Sequence, residues 1–545
     1  MKTFYLLTAL IAVNFIGMAQ FTTTTYRGAF APAPAAMWTD SWTEFSPKTK
    51  VYPDPTSVIS TDITSDTTWL TGTTYELGAT IFVTNNATLT IQPGVIIRSS
   101  AAGAGLFVTK GAKLMAIGTA ASPIVFTSKN NPGFRNRGDW GGVVLLGKGS
   151  YNINSGINYI EGITQSPQTQ FGGGAMPDDN DNSGTLKYVR IEFAGYVYGA
   201  AGSNTELNGL TMGACGKLTE VDYVQVSYSN DDSFEWFGGS NSSKYLVAFN
   251  GLDDDFDTDN GWSGNVQFCL AIREPSAADQ SDSNCFETDN NSTSTDGTNH
   301  TRGTFSNCTL IGPDFRKTLS NTGTFNVKHR RAAHMRRNTK LRIHNSIFMD
   351  FVDGVVIDGA TTIVNAQAIN SLKFKNNIIA GTVTAKVATT TAVSGFDVAA
   401  WFSTNMNTSQ TSSADLLTLP YDAADGSVYT GLDYRPKTGS AALSGADFTD
   451  ISASLATETF NLTDNASLKS YPNPFSTSFR LSFESASTDD VSLNAYDLTG
   501  RIVESHKLNY NDVNNKEFGS NYQSGMYILV LKQGEITKSF RVIKK

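Results

Sequence analysis

The chain has 545 residues, a formal net charge of −9, and 17% charged against 40% hydrophobic residues. The acidic total provides no basic surface for nucleic acid, so we expect no nucleic-acid partner. Four cysteines are too few for a disulfide scaffold, and the low charge excludes a coiled coil or a charge-driven disordered chain. The length allows one long repeat domain followed by a smaller domain.

The first segment, residues 1–19, has the pattern of a secretory signal peptide. Lys2 precedes an apolar stretch that ends in small residues, so the mature chain is predicted to begin at Gln20. This stretch is too short to cross a bilayer, and no later stretch reaches the ~20 apolar residues of a spanning helix. We therefore predict no transmembrane segment in the mature chain. Residues 20–65, rich in Thr, Ala and Pro, are interpreted as an N-terminal linker or lead-in.

Residues 66–395 are predicted to form an all-β repeat domain. Short β-like runs alternate with Gly, Asn and Asp turns, and the segment Tyr223–Phe234 recurs 22 residues later as Tyr245–Phe256. A propeller blade needs about twice this period. The period fits one coil of a right-handed parallel β-helix, in which equivalent residues of successive coils lie ~4.8 Å apart.

The acidic residues of this repeat are predicted to stack. From 220 to 296 there are sixteen acidic residues against two basic ones, whereas 328–342 contains seven basic residues and no acidic one. The repeat aligns three acidic pairs: Asp231 with Asp253, Asp232 with Asp254, and Glu235 with Asp257. Carboxylates one strand spacing apart repel each other unless a cation, an arginine or a raised pKa neutralises them.

Two acidic loops are candidate Ca²⁺ sites. Asp255, Asp257 and Asp259 alternate along one loop, and Asp179, Asp181 and Ser183 alternate along another. Loops of this kind converge hard oxygen atoms on Ca²⁺. Both lack the bidentate glutamate of an EF-hand, because the twelfth positions are Val266 and Arg190. Bound calcium and solvated acidic turns both remain open.

Four further residues are candidate ligand contacts. Arg336 and Arg337 fit three interpretations: ion pairs with neighbouring acids, a solvated face, or contacts to an anionic glycan or lipopolysaccharide. Trp236 and Trp262 lie beside the acidic loops, either as interior side chains of the solenoid or as stacking platforms for sugars.

The cysteines leave two interpretations open. Cys269 and Cys308 occupy the same repeat position, and Cys215 and Cys285 complete an even number. Disulfides and reduced core thiols are both compatible with an exported β-helix.

The C-terminal part has two predicted segments, a cap or linker over 396–467 and a small β-sandwich over 468–545. Three motifs occur in order in the sandwich, at 471–475, 496–501 and 524–530. They resemble the type A C-terminal sorting domain of the type IX secretion system of Bacteroidetes. The resemblance implies that the secretion machinery handles the chain through residues 468–545 and delivers it to the extracellular space or the cell surface.

The middle of the chain also resembles a known group. The stretch from Asp139-Trp-Gly-Gly142 through Phe234-Glu-Trp-Phe-Gly-Gly239 to Gly359 is similar to bacterial extracellular proteins with a pectin-lyase-like β-helix. This resemblance implies the fold and the location and leaves the chemistry open.

We expect non-catalytic binding or adhesion to a glycan or another surface ligand. One alternative is a polysaccharide lyase or glycoside hydrolase, in which Asp231, Asp232, Asp253 and Asp254 would be the catalytic acids, since paired carboxylates can cleave glycosidic bonds. A second alternative is an accessory subunit of an outer-membrane complex.

Overall fold

A computed structural model describes twelve stretches of the chain: residues 21–101, 103–199, 205–296, 299–313, 325–368, 371–382, 384–421, 431–452, 467–484, 487–497, 501–533 and 536–545. The predicted signal peptide lies outside these residues. The chain divides into two compact units, with the boundary between Asp450 and Ile451.

The first unit consists mainly of short strands. In chain order they are β1 (Ser57–Ile59), β2 (Thr67–Trp69), β3 (Thr74–Leu77), β4 (Ile81–Val83), β5 (Thr88–Ile91), β6 (Ile96–Ser99), β7 (Leu106–Val108), β8 (Lys113–Ile117), β9 (Ile124–Ser128), β10 (Val143–Leu146), β11 (Asn158–Tyr159), β12 (Gln170–Phe171), β13 (Gly184–Glu192), β14 (Leu210–Gly213), β15 (Glu220–Ser227), β16 (Phe234–Phe237), β17 (Ser242–Phe249), β18 (Phe256–Asp259), β19 (Asn265–Ile272), β20 (Phe286–Thr288), β21 (Thr304–Ile311), β22 (Arg331–Met335), β23 (Arg342–His344), β24 (Ile347–Met349), β25 (Asp353–Ile357), β26 (Lys373–Lys375), β27 (Ile378–Ala380), β28 (Val387–Thr389), β29 (Thr408–Gln410), β30 (Leu417–Leu419) and β31 (Asp433–Pro436). The helices are α1 (Ala360–Gln367), α2 (Val398–Thr404) and α3 (Thr449–Ser452), the last at the boundary between the units, with 3₁₀ turns at Asn154–Gly156 and Ala441–Leu443.

The strands form the three parallel faces of a right-handed β-helix. Face 1 has the order β4-β7-β10-β14-β16-β18-β20-β22-β25-β28. Face 2 runs through β2, β5, β8, the first halves of β13, β15, β17, β19 and β21, and then β23 and β26. Face 3 runs through β1, β3, β6, β9, the second halves of the same long strands, and then β24, β27 and β29.

One residue in each long strand makes the corner between faces 2 and 3. These residues have φ between 51° and 63°, in the left-handed region that bends a strand sharply. They are Tyr188, Tyr223, Tyr245, Phe268 and Asn307. The first four rings stack along the corner, with centroids 4.3 to 5.1 Å apart. The bend lets one strand supply two faces of the coil.

The interior is a set of apolar columns. Phe234, Phe256 and Phe286 occupy the same position on face 1, are fully buried, and stack with centroids 5.7 and 5.2 Å apart. The 22-residue repeat is therefore confirmed, since β16 and β18 pair in that register. Each coil buries its ring against those above and below, so stability depends on stacking neighbours.

Residues 21–52, part of the predicted linker or lead-in, are packed against the solenoid. Phe30 and Trp42 are 1% and 0% exposed. Asn307 donates to the carbonyl of Tyr26 at 3.2 Å, and Arg27 donates to the carbonyl of Ala441 at 2.7 Å. We call residues 21–52 the strap. At the C-terminal end of the β-helix, helix α2 places two aromatic residues, Trp401 and Phe402, against the interior core.

The second unit contains antiparallel strands and one short helix. They are β32 (Ser467–Tyr471), β33 (Phe479–Glu484), β34 (Val491–Tyr496), β35 (Ile502–Leu508), α4 (Tyr510–Val513), β36 (Glu517–Phe518), β37 (Gly525–Gln533) and β38 (Ile536–Lys544). The sheets β32-β33-β36 and β35-β34-β37-β38 share one core that includes Leu481, Leu493 and Leu529. Among the described residues of both units, no helix is long and apolar enough to span a membrane.

Candidate functional site

The outer surface of face 1 carries a column of ionisable side chains. Glu235, Asp257, Glu287 and His334 occupy one position on adjacent strands. Side chains alternate along a strand, so these four point outward while the neighbouring Phe234-type residues point inward. The stacking predicted for Glu235 and Asp257 is thus present.

A second column of polar side chains lies just before the strands of face 1 and links successive coils by hydrogen bonds. Asn208 Oδ1 accepts from the backbone N–H of Asp232 at 3.2 Å, and Asp232 Oδ1 accepts from that of Asp254 at 2.9 Å. Asp254 Oδ1 accepts in turn from the backbone N–H of Asn284. Asp232 and Asp254 are 7% and 4% exposed. These two predicted catalytic acids therefore join successive coils and are closed to a polysaccharide.

Five carboxylates converge where these columns meet. Oxygen atoms of Asp231, Asp232 and Asp253 lie within 4.8 Å of one another, as do those of Asp232, Glu235 and Asp257. We call these five residues the acid cluster. In the described part of the chain, no Lys, Arg or His nitrogen lies within 4.0 Å of any of their oxygens.

Burial and mutual repulsion shift the ionisation of the acid cluster. Burial, followed by the charges of Asp231, Asp254 and Asp257, raises the pKa of Asp232 well above its usual range. Burial also raises the pKa of Asp253 to about 7, with Asp279 as the next cause. The charged cluster is therefore unfavourable without a counter-charge.

Arg336 and Arg337 neutralise Glu287 and Asp289, which lie at β20, the strand next to β18 on face 1. Arg336 Nε lies 2.7 Å from Asp289 Oδ1, and a second nitrogen of Arg336 contacts Glu287. Arg337 Nη1 lies 2.7 Å from Asp289 Oδ2. The arginine interpretation is therefore confirmed for Glu287 and Asp289, outside the acid cluster.

Asp255 is separated from the other members of its candidate calcium loop. It is fully buried, and its Oδ2 lies 3.2 Å from Nη1 of the buried Arg273. The chain bends at this corner before β18 begins, so the expected alternation of Asp255, Asp257 and Asp259 fails. Asp259 instead accepts a hydrogen bond from the backbone N–H of Asn260.

The carboxylates of the second candidate calcium loop accept hydrogen bonds from two serine residues. Asp179 Oδ1 accepts from the backbone N–H of Ser150 at 2.8 Å. Asp181 accepts from the hydroxyl of Ser183 at 3.3 Å, and both residues are buried. The side chains of Asp179 and Asp181 thus have separate hydrogen-bond partners, one outside and one inside the loop.

The two candidate stacking platforms are interior residues. Trp236 and Trp262 are both 0% exposed, with ring centroids 5.2 Å apart, and Trp236 also packs on Phe305. Because Trp236 alternates with Glu235 on β16, it points into the core. Of the two interpretations of these tryptophans, their burial supports the interior one and not the stacking platform for sugars.

The basic run 328–342 is divided between two faces. After Arg337 the chain turns the corner, and Lys340 and Arg342 lie at the start of face 2. Arg342 is in register with Lys373 of the next coil. Lys373 was not among the predicted site residues, although the repeat of Asn345-Ser-Ile-Phe as Asn376-Asn-Ile-Ile aligns it with Arg342.

A shallow depression of about 280 Å³ lies beside this corner. It is lined by Ser294, Arg336, Arg337, Asp358, Gly359 and Thr361. The Arg337 side chain is 43% exposed.

All four cysteines are buried free thiols. Cys269 and Cys308 are paired in register on adjacent strands, as their repeat position predicted. Burial raises the pKa of the Cys269 thiol well above its usual range. The Cys269 thiol is therefore protonated, and all four cysteines belong to the apolar interior.

Comparison with known families gives two matches. The model of the pectate-lyase-like β-helix domain matches residues 61–418, and that of the secretion system C-terminal sorting domain matches residues 469–545. A search of curated proteins gives no match. The sorting domain indicates export to the extracellular or cell-surface space through the type IX machinery. With its three parallel faces and this match over most of its length, the chain belongs to the family of pectate-lyase-like β-helix proteins and carries a type IX sorting domain.

Proposed function

We propose that this exported β-helix is a non-catalytic binding protein for an anionic surface glycan. The contact surface is the corner between faces 1 and 2 where Arg337, Lys340, Arg342 and Lys373 lie, which we call the basic edge. The observation that carries the proposal is the register of Arg342 with Lys373, which stacks like charges on adjacent strands. Stacked cations repel each other and favour an anionic partner.

The lysines of the basic edge have little counter-charge. Among the described residues, no carboxylate oxygen lies within 4.0 Å of Nζ of Lys340 or Lys373. Burial lowers the pKa of Lys373, and Lys375 and Arg342 lower it further, while Asp450 opposes them. Burial likewise lowers the pKa of Lys340, with Asp296 opposing this shift and Arg302 adding to it. A carboxylate or sulfate group placed here relieves this repulsion.

The volume of the depression beside Arg337 limits the size of the group that can bind in it. At about 280 Å³ it is close to the lower limit of small-molecule sites, so it suits one sugar unit or one acidic substituent. A polymer would be held along the edge and touch the depression locally.

Two observations favour binding over turnover. Two of the four acids expected in a hydrolase or lyase, Asp232 and Asp254, are nearly closed off and accept backbone hydrogen bonds, whereas Asp231 and Asp253 are half-buried. Trp236 and Trp262, which would position a sugar ring, are inside the core.

The test is binding to polysaccharides that share a backbone and differ in charge, such as a polyuronate and its methyl ester. Lys340→Gln and Lys373→Gln are each expected to weaken binding of the polyuronate roughly threefold to fivefold, since an exposed charge contributes up to about 1 kcal/mol. Lys50→Gln, which removes a lysine paired with Glu44, is the matched control and leaves binding unchanged. Affinity for the polyuronate falls as salt rises.

The same samples separate the alternatives. Release of unsaturated ends or new reducing ends would assign a lyase or hydrolase. Equal affinity for the charged and the esterified polymer would overturn the anionic-glycan proposal. Stoichiometric recovery in an outer-membrane complex, without polysaccharide binding, would favour an accessory subunit.

A further inference from the structure

Two acidic side chains of this protein already occupy one end of the surface proposed to bind a glycan. Lys375 Nζ lies 2.7 Å from Asp450 Oδ2 and 3.3 Å from Asp447 Oδ2. Both acids belong to residues 445–450, which we call the acidic segment. We propose that the acidic segment is an internal competitor of the anionic glycan, which must displace its carboxylates from Lys375 to bind fully. This regulation rests on the function proposed for the basic edge.

Lys375 continues the basic edge along strand β26. Lys373 and Lys375 are separated by Phe374, whose side chain is fully buried in the interior core. Because side chains alternate along a strand, both lysines point outward, about 7 Å apart along the strand. A polymer bound along the basic edge at Lys373 therefore reaches Lys375 as the next cation.

The two lysines of β26 differ in their acidic partners. Burial lowers the pKa of Lys375, but the hydrogen bond and charge of Asp450, followed by those of Asp447, outweigh burial and raise the pKa overall. In the part of the chain that the structure describes, Lys373 Nζ has no carboxylate oxygen within 4.0 Å. Burial lowers the pKa of Lys373, and Asp450 only partly opposes this shift. The acidic segment thus pairs with Lys375 and leaves Lys373 for a ligand.

The backbone of the acidic segment is fixed to the solenoid. Asn345 Oδ1 accepts from the backbone N–H of Asp447 at 2.8 Å, and Asn345 Nδ2 donates to the carbonyl of Asp447 at 3.1 Å. Asn376, in the adjacent coil, donates from Nδ2 to the carbonyl of Gly445 at 3.0 Å. Because the backbone is held here, the two carboxylates face Lys375 at a high effective concentration.

The carboxylates themselves can be displaced by a stronger anion. The side chains of Asp447 and Asp450 are 33% and 37% exposed, so water and salt weaken their attraction to Lys375. A polyanion brings several linked carboxylates to the edge at once, whereas a single free carboxylate lacks this advantage over the attached acids. The acidic segment therefore selects against ligands of low charge density.

The test is binding of a polyuronate to the full chain and to variants of the acidic segment. Asp450→Asn is expected to tighten binding roughly threefold to fivefold, because Lys375 becomes available to the ligand. Asp447→Asn combined with Asp450→Asn is expected to tighten it roughly tenfold. Asparagine at 447 keeps an oxygen that can accept from the backbone N–H of Thr449, so the local turn is preserved.

A second background separates competition for Lys375 from a general effect of charge. In Lys375→Gln, the same double substitution is expected to tighten binding by less than about twofold, because the contested side chain is gone. Asp415→Asn, at an exposed acid paired with Lys437, is the matched control: it removes one negative charge elsewhere and leaves the affinity unchanged.

The outcomes distinguish the competition from the proposed function itself. An equal gain with and without Lys375, or no gain in the acidic variants while the unmodified protein binds, would overturn the competition and leave glycan binding standing. Binding that is detected only after the double substitution would support the competition. Absence of polyuronate binding in every variant would overturn the proposed function, and the competition with it.

Discussion

The buried ion pair of Asp255 and Arg273 allows a quantitative test of the fold. Both side chains are essentially inaccessible, with an oxygen–nitrogen distance of 3.2 Å. Arg273 also donates to the carbonyls of Asn284 at 2.9 Å and Leu252 at 3.3 Å. The perturbations are Arg273→Met, Asp255→Asn and the double variant.

The expected magnitudes follow from distance and burial. Two unit charges at this separation attract by about 5 kcal/mol at an effective dielectric constant of ~20. Burial raises the pKa of Asp255 and Arg273 offsets part of that rise, so much of the attraction is cancelled by desolvation. Each single variant should lose about 3 to 5 kcal/mol of unfolding free energy, because it leaves one charge buried without its partner. The double variant should lose only about 1 to 2 kcal/mol.

The assay is urea unfolding of all four proteins, analysed as a double-mutant cycle. The exposed pair Asp415 and Lys437 provides the control cycle, with an expected coupling below about 1 kcal/mol. Additive losses at Asp255 and Arg273 would refute the buried pair.

Three further predictions concern separate parts of the chain. Trp236→Ala should cost about 3 to 5 kcal/mol of stability in urea unfolding, as for a large ring removed from a core, and leave glycan affinity unchanged; a weakened affinity at equal stability would argue for a sugar contact. Burial, followed by the charge of Glu220, raises the pKa of Asp222 to about 6, although Lys187 and Lys244 lower it in part. The unfolded chain ionises at lower pH than the folded protein, so the fold loses stability as pH rises from about 4 to 6. Asp222→Asn keeps an acceptor for the Lys244 N–H, and melts should show it more stable than the unmodified protein by roughly 2 kcal/mol at pH 8 and equal to it near pH 3.5; a constant difference across pH would contradict this. Deletion of 469–545 should prevent export, as judged by immunoblots of cell and medium fractions, and secretion of the truncated chain would disprove the role of the sorting domain.

The features that repeat along the chain were predictable from the sequence. The offset of 22 residues placed Glu235 next to Asp257 and Cys269 next to Cys308, because stacked coils put equivalent residues side by side. The small β-sandwich expected over 468–545 is also present, with strands such as β33, β34 and β37. Both results depend only on residue patterns that can be read directly along the sequence.

The features that depend on corners or distant partners were not predictable. Asp255 turns inward because the chain bends before β18, and its partner Arg273 comes from the end of the next long strand. The sequence of helix α1 has no strong amphipathic pattern from which the helix could be predicted. The strap has a composition typical of linkers, and its partners, such as Asn307 and Ala441, are hundreds of residues away. Alternation along β16 did contain the signal that Trp236 points inward, beside the outward Glu235.

The strap also affects the order in which the molecule can fold. A solenoid with neighbour-only contacts can add one coil at a time, with little loss of chain entropy at each step. The bonds from Arg27 to Ala441 and Ser444, by contrast, close loops of 414 and 417 residues. Such a closure gains nothing until the coils between are in place. The Arg27 end of the strap therefore docks only after the final coil and the segment that follows it are in place.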